Sequence, residues 1–385
     1  MKKKILFITP DLRFGGTNSS LSNIYNIIKG NYEIDVFSLY NKQIGSYSFR
    51  DRILRSGKLL YWYYCYYSDL KGVDKIFAFI IKIITRICLL IGINFGDFLQ
   101  KREVRRISRN HHYDLVIGFQ EGAATLFASR FKNVKKMAWI HCDYSRYYKM
   151  VNKKNEEAIY DSFNKIVCVS NYTARSFVDI YPSLKEKVIN IYNPYDEERV
   201  IRLSKELIED SRFDTSCFTI LSVGRIDKVK RFSMIPQIAN RLKEKNKAFR
   251  WYIIGNVVDL EEYDTIMKGI KDYKLENYVF VLNGKKNPYP YFAQSNLLAT
   301  TSSSEACPIV FLEAQTFNIP IITTSFGSSF EFVEHGKNGY ITPLDNFHTF
   351  IIEVMEGRLG YQPVRRINNK TIIDCLNKEI ISLLK

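Results

Sequence analysis

The stretch Phe218-Thr219-Ile220-Leu221-Ser222-Val223-Gly224-Arg225-Ile226-Asp227-Lys228-Val229-Lys230-Arg231 decides how the chain folds. Its first six residues form an apolar run that stops at a glycine. A strand without a polar face belongs inside a parallel sheet covered by helices on both sides. The cation-rich turn that follows opens a helical pattern over 231–245, so its charges sit at the carboxyl edge of the sheet. The same strand-then-helix unit recurs about every 25 to 30 residues downstream. Strands are predicted at Trp251–Ile254, Tyr278–Leu282, Leu297–Thr301 and Ile319–Thr323, with helices at 260–273, 289–295, 308–317 and 329–335.

The amino-terminal half repeats this logic. Strands are predicted at Lys4–Thr9, Ile34–Leu39, Asp114–Gly118, Lys136–His141, Ile166–Val169 and Lys187–Ile191, with helices at 18–29, 122–130, 155–163 and 171–180. The expectation is an α/β chain of two doubly wound, Rossmann-like domains facing a central cleft. One covers 1–195, the other 196–362, with the join near Asn193-Pro194 and a terminal helix over 363–385 after Pro363. Such sheets bind ligands at the carboxyl ends of their strands.

Composition sets further bounds. Hydrophobic residues at 46% and charged residues at 25% exclude disorder as the main state. Residues 1–195 carry 31 basic and 16 acidic side chains, net +15, whereas 196–385 carry 25 and 24, net +1. An excess confined to one half predicts an anionic surface as its partner. Seven cysteines, odd in number and never in a CxxC pair, argue against a disulfide framework or zinc site and for a reducing compartment. The apolar run Ile5–Ile8 ends before Pro10 and Asp11, too soon for the core of a signal peptide.

Residues 45–110 break the alternation. Tyr61–Tyr67 holds six aromatics in seven positions, and 17 of the 24 residues from Ile76 to Leu99 are apolar. Lys82 and Arg86 interrupt that run. A central charge costs about 2.5–3.5 kcal/mol of insertion energy against about 0.3–0.6 returned by each Ile or Leu, so a spanning helix is rejected. On a continuous helix, Lys71, Lys75, Lys82 and Arg86 share one stripe, and Arg105, Arg106 and Arg109 lie beyond it. A basic stripe beside an apolar face and interfacial aromatics predicts a helix lying on an anionic membrane. A domain helix with a solvated charged face is the competing reading.

Three clusters carry chemistry. In Asp11-Leu12-Arg13-Phe14-Gly15-Gly16-Thr17, the paired glycines precede a helix and let backbone approach an anion; any tight turn could use them too. In 223–231, Gly224 is followed by Arg225 and Lys230, a planar fork and a point charge suited to a diphosphate at a strand edge; a solvated charge run is the alternative. In Thr301-Ser302-Ser303-Ser304-Glu305-Ala306-Cys307-Pro308-Ile309-Val310-Phe311-Leu312-Glu313-Ala314, two carboxylates lie eight apart. Pro308 fits the first helical turn. Glu313 sits in an apolar helix where a charge needs a partner, for which a ribose diol serves. No DxD pair or metal-spaced His/Asp cluster occurs, so no metal cofactor is expected.

Together these clusters resemble the retaining glycosyltransferases of family 4, of GT-B fold, most strongly from Phe218 to Pro343. The resemblance implies that Arg225 and Lys230 bind a donor diphosphate, Glu313 the ribose and Glu305 the transferred sugar. It implies that backbone around Ala306, Cys307 and Pro308, with Ile309 and Val310, lines the pocket, and that Asn283-Gly284 meets the base. His141 would face the donor sugar and orient it, not act as a base; Gly15 and Gly16 match the glycine loop, and Phe326–Glu331 the later G-x-x-E element. Ala306-Cys307 replaces the usual pair at that point, and Gly255-Asn256-Val257 lacks a second glycine. The implied activity is metal-independent, retaining transfer from a nucleotide-sugar, with a UDP-sugar expected, to a lipid-linked or saccharide acceptor bound by the first domain. The expected setting is bacterial surface-polysaccharide synthesis, on the inner face of the cell membrane. An epimerase or phosphorylase on the same fold stays open, as does a non-catalytic binder of anionic surfaces. Nucleic acid is not an expected partner, because no recognition motif for it is present.

Overall fold

The computed structural model describes residues 2–12, 15–39, 47, 49–54, 72–151, 156–365 and 367–385. It divides into two compact units, Met1–Pro194 with Ile372–Lys385, and Tyr195–Thr371. Tyr195 belongs to the second unit, and so do residues 363–371.

The first unit runs β1 (Lys4–Thr9), α1 (Gly16–Ile28), β2 (Glu33–Ser38), β3 (Ile53–Leu54), α2 (Gly72–Leu90), α3 (Phe95–Asn110), β4 (Leu115–Gly118), α4 (Ala123–Ser129), β5 (Lys135–Ile140), α5 (Tyr144–Val151), α6 (Glu156–Asp161), β6 (Lys165–Cys168), α7 (Asn171–Val178) and β7 (Val188–Asn190). Its strands form one sheet in the order β3-β2-β1-β4-β5-β6-β7, parallel throughout. Ile5, Leu6, Phe7 and Ile8 are all fully buried, as a strand covered on both faces must be.

The second unit runs α8 (Glu197–Leu203), β8 (Phe218–Val223), α9 (Ile235–Glu244), β9 (Phe249–Gly255), α10 (Leu260–Asp272), β10 (Val279–Asn283), α11 (Tyr289–Ala293), β11 (Leu297–Thr300), α12 (Ile309–Thr316), β12 (Ile321–Thr323), α13 (Ser329–Phe332), β13 (Gly339–Ile341) and α14 (Phe347–Met355). Its parallel sheet has the order β10-β9-β8-β11-β12-β13. The reversal of winding falls between β8 and β11, where open sheets of this kind present their ligand crevice. Trp251 Nε1 donates to Ser222 Oγ at 2.9 Å, and the Ser222 hydroxyl donates to the Ala299 carbonyl at 2.6 Å. This relay ties the three central strands through buried polar atoms.

Several helix starts follow from short polar caps. Ser170 accepts from the Thr173 N–H, Asp196 from Arg199 and Asp259 from Glu262, each satisfying an amide the helix leaves open. Three predicted spans change. The terminal helix α15 covers Asn369–Leu384, not 363–385. The predicted helix over 231–245 begins as a 3-10 turn at Phe232–Met234 and becomes α-helical only at Ile235. Pro308 precedes α12 in extended conformation, with ψ 100, and is not part of its first turn.

The rim between β8 and β9 is closed to side chains. A Cβ on Gly255 would lie 1.7 Å from the Gly224 carbonyl oxygen. Gly255→Ala must force the two strands apart and is expected to cost about 1–3 kcal/mol. Thermal unfolding that matched the unsubstituted protein would contradict this close approach.

Candidate functional site

Two loops at the carboxyl edge of the second sheet, 224–231 after β8 and 301–308 after β11, build a polar cluster. Asp227 organises the first: its Oδ1 accepts from the N–H groups of Val229 at 3.1 Å and Lys230 at 3.0 Å, while Oδ2 holds the Arg225 guanidinium at 3.1 Å. Arg225 stays exposed, and Asp227 is largely covered. This turn aims Lys230 inward. Its Nζ pairs with Glu305 Oε1, and both side chains are mostly buried, at 15% and 17% exposure. The Ser302 hydroxyl donates to the same oxygen at 2.8 Å. Gly224 is required for this path, because a Cβ there would meet Lys230 Cε at 2.8 Å.

The loops are joined by their backbones as well. Arg231 adopts a left-handed conformation, φ 51, and donates from Nε to the Thr301 carbonyl at 2.8 Å and from Nη2 to that of Ser302 at 3.0 Å. Burial lowers its pKa. The Thr301 hydroxyl answers by donating to the carbonyls of Lys230 and Arg231, and the Ser303 N–H donates to Val229 O at 2.8 Å. The Ser328 hydroxyl holds the Glu305 carbonyl at 2.7 Å. Ala306, Cys307 and Pro308 are buried, whereas Ile309 and Val310, opening α12, are half-buried. The structure thus brings Gly224, Arg225, Lys230, Glu305 and the start of α12 to one edge of one sheet.

Glu313 lies one turn further along α12. Desolvation pushes its pKa up to about 7, against the lowering effects of the Tyr289 hydroxyl and the Arg199 guanidinium. The same carboxylate, after burial itself, raises the Tyr289 phenol. Tyr289, opening α11, and Arg199, in α8, escaped the sequence reading; neither has a spacing that ties it to Glu313. Asn283 ends β10 exposed, and Gly284 follows it, also exposed. A Cβ at Gly284 would lie 2.1 Å from Asn256 Oδ1.

The remaining predicted residues belong to the first unit. His141 follows β5, stacked on Trp139 with 6.3 Å between centroids and packed against Phe119 at 4.7 Å. Burial pushes its pKa down to about 3, so its ring is neutral in ordinary buffers. Its Nε2 is buried with no hydrogen-bond partner among the described residues. Glu121, which the sequence reading missed, accepts from the His141 N–H at 2.9 Å. Burial raises the Glu121 carboxyl, and the His141 amide and the Cys142 thiol pull it back. Gly15 caps α1 and Gly16 begins it. A Cβ on either would meet no atom within 4 Å among the described residues. Arg13 and Phe14 of that loop lie outside the described residues. No group of three or more His, Cys, Asp or Glu is placed to hold a metal among the described residues.

Of the basic residues between 45 and 110, Lys75, Lys82 and Arg86 lie on α2 and Arg105, Arg106 and Arg109 on α3. Lys71 and the Tyr61–Tyr67 run lie outside the described residues. The two helices bend by 115°, so the basic positions do not continue as one stripe. Arg106 forks onto buried Glu103 at 2.7 and 3.0 Å; the exposed basic face of α3 is formed by its neighbours Arg105 and Arg109 instead.

Residues 204–360 match the family Glycosyl transferases group 1, and residues 65–199 match Glycosyltransferase Family 4. An uncharacterized glycosyltransferase of Methanocaldococcus jannaschii is 26% identical over 238 residues, 58% of each chain. The N-acetylgalactosamine-N,N'-diacetylbacillosaminyl-diphospho-undecaprenol 4-alpha-N-acetylgalactosaminyltransferase of Campylobacter jejuni is 27% identical over 198 residues, 51% of each chain. The matched stretches span between half and two thirds of such relatives. Among solved structures, Anabaena HepE in complex with UDP and glucose aligns with TM-score 0.71 at 16% identity, covering 99% of this chain and 100% of that one.

The raised carboxyl of Glu313 has a measurable signature. A folded-state value above the unfolded one means the folded protein binds the extra proton between pH 4.5 and about 7, so stability falls as pH rises through that window. Glu313→Gln should flatten this part of the thermal-unfolding profile. An unchanged slope would show that the carboxyl is not desolvated.

Proposed function

The chain belongs to the glycosyltransferases of GT-B fold, with a Family 4 domain followed by a group 1 domain, and from that premise we propose a metal-independent, retaining transfer. The donor is a nucleotide-diphosphate sugar, a UDP-sugar in the first instance, and the acceptor a saccharide or lipid-linked saccharide in cell-surface polysaccharide synthesis. The Lys230–Glu305 pair beside Arg225 carries this reading. HepE, crystallised with UDP and glucose, supports the donor class. The Campylobacter relative, named for a diphospho-undecaprenol acceptor, supports the acceptor class.

In the free protein the Lys230 ammonium is satisfied by Glu305. A pyrophosphate arriving beside Arg225 offers that ammonium a stronger anion. Lys230 then turns to phosphate, and Glu305, still held by Ser302, is released to accept from hydroxyls of the transferred sugar. Glu313 accepts from the ribose, and Asn283 with Gly284 borders the base. Ile309 and Val310 present the amino end of α12, whose free N–H groups favour negative charge.

The acceptor hydroxyl oxygen bonds to the anomeric carbon on the face from which the diphosphate leaves. The electron pair of the broken C–O bond stays on the phosphate oxygen, which takes the acceptor's proton. Configuration is thereby retained. Charge gained by the diphosphate is offset by Lys230, Arg225 and the α12 amino end, donors fixed in place beforehand. His141, neutral and with Nε2 uncommitted, orients the sugar by a hydrogen bond and takes no proton. Gly15 and Gly16 leave room for close backbone approach to an anion.

Lys230→Ala and Arg225→Ala should each lower turnover by about 10²–10³-fold while the folded state persists, and EDTA should leave the unsubstituted enzyme active. Loss of activity in EDTA, or near-normal turnover in both variants, would overturn the metal-independent diphosphate clamp. Nuclear magnetic resonance of the product should show the donor's anomeric configuration. Nucleotide release only when an acceptor is supplied separates transfer from epimerisation.

A further inference from the structure

Helix α2 presents three different sides. Set out at about 100° per residue, Ala78 and Ile81 fall on the side that is buried, with Thr85 and Cys88 partly covered beside them. α2 and α3 are in contact with one another. The opposite side is an arc of about 100° formed by Ile76, Phe79, Ile80, Ile83, Ile87 and Leu90. Their exposures run from 42% at Ile83 to 84% at Leu90. Lys75, Lys82 and Arg86 line one flank of that arc. Asp74, the one acidic residue of the helix, lies on the inner side.

Contiguous apolar exposure on this scale marks an interaction surface. Ala78 and Ile81 are buried in the protein, so the opposite arc is the side open to an apolar phase. No single helix among the described residues is long and apolar enough to cross a membrane, and the turn into α3 is 115°. The geometry points to α2 as an in-plane membrane helix. We propose that its Ile/Phe/Leu arc enters the headgroup–acyl boundary of a bilayer while Lys75, Lys82 and Arg86 pair with anionic headgroups. An apolar body can sit about 5–10 Å deep in that boundary, and long basic side chains reach back to the surface from its edge. Lys101, Arg102, Arg105 and Arg109, exposed on α3, extend the positive field beyond the bend.

Charge decides against a second copy of the chain as the occupant. Two such arcs packed antiparallel about a twofold axis would set the cationic flanks near one another, and in either direction α2 offers no acidic flank to answer them. An anionic leaflet complements the same flank along its length.

The test uses the full chain in vesicle flotation. The protein should float with phosphatidylcholine vesicles containing phosphatidylglycerol, and at least about tenfold less with phosphatidylcholine alone. Carbonate at high pH should strip it. Ile80→Glu with Ile83→Glu should abolish flotation. Lys75→Glu with Lys82→Glu should remove the preference for the anionic lipid. Because all four positions are exposed, thermal unfolding and transfer to a water-soluble acceptor should be unchanged in these variants. Failure to float with either vesicle overturns the proposal, as does resistance to carbonate, which would mean spanning. A lipid-free dimer in light scattering that Ile80→Glu dissolves would assign the arc to self-association and also overturn it.

Discussion

Arg231 occupies a backbone conformation that favours glycine or asparagine, and it does so with a partly buried guanidinium. A left-handed residue with a side chain costs about 1–2 kcal/mol. Two hydrogen bonds from a charged donor contribute about 1.5–3 kcal/mol each, enough to offset that strain. The carbonyls it reaches belong to Thr301 and Ser302, immediately before Ser303, Ser304 and Glu305. Strands β8 and β11 are neighbours in the sheet, but neighbouring strands alone do not fix what their following loops do. Arg231, answered by Thr301, holds the two loops in register. The meeting of Lys230 with Glu305 depends on that register, since each side chain leaves from one of the loops.

The parallel sheets were legible because their strands are apolar on both faces, as burial between two layers of helices requires. Ile220 and Leu221, like Ile5 to Ile8, are wholly covered. Residues 224–231 and residues 301–308 were legible as groups because each is a single continuous loop. Contacts made across distant sequence were not legible. Glu121 reaches His141 through space from the loop after β4, and Tyr289 reaches Glu313 from a different helix. Neither pair has a period or a spacing to betray it. Pro308 shows a second limit. Proline fits the first helical turn and the position before it about equally well, and the chain's extended ψ at that residue settles which.

Helix 72–90 shows the same limit on a larger scale. Its apolar character and its basic stripe could be read directly, yet the inward side could not, because Ala78 and Ile81 are no more apolar than Ile80 or Ile83. Which side faces the protein is set by how the chain folds around the helix, and its neighbour α3 is placed by its own contacts: Leu99, Val104 and Ile107 are buried, and Asp97 holds Arg130 at 2.7 Å. The buried Glu103 explains why Arg106 is drawn out of the basic face. A carboxylate taken out of water needs a partner, and the nearest cation one helical turn away supplies it.

Three glycines at the carboxyl rim of β8, β9 and β10 limit how this chain can diverge. Gly255 lies against the Gly224 carbonyl, Gly224 against the Lys230 stem, and Gly284 against the Asn256 amide. Each is held by a different neighbour, so none can acquire a side chain without a compensating change elsewhere. Change at this rim is therefore coupled between positions. The Asn256 side chain is exposed, and shortening it would make room for a larger residue at 284.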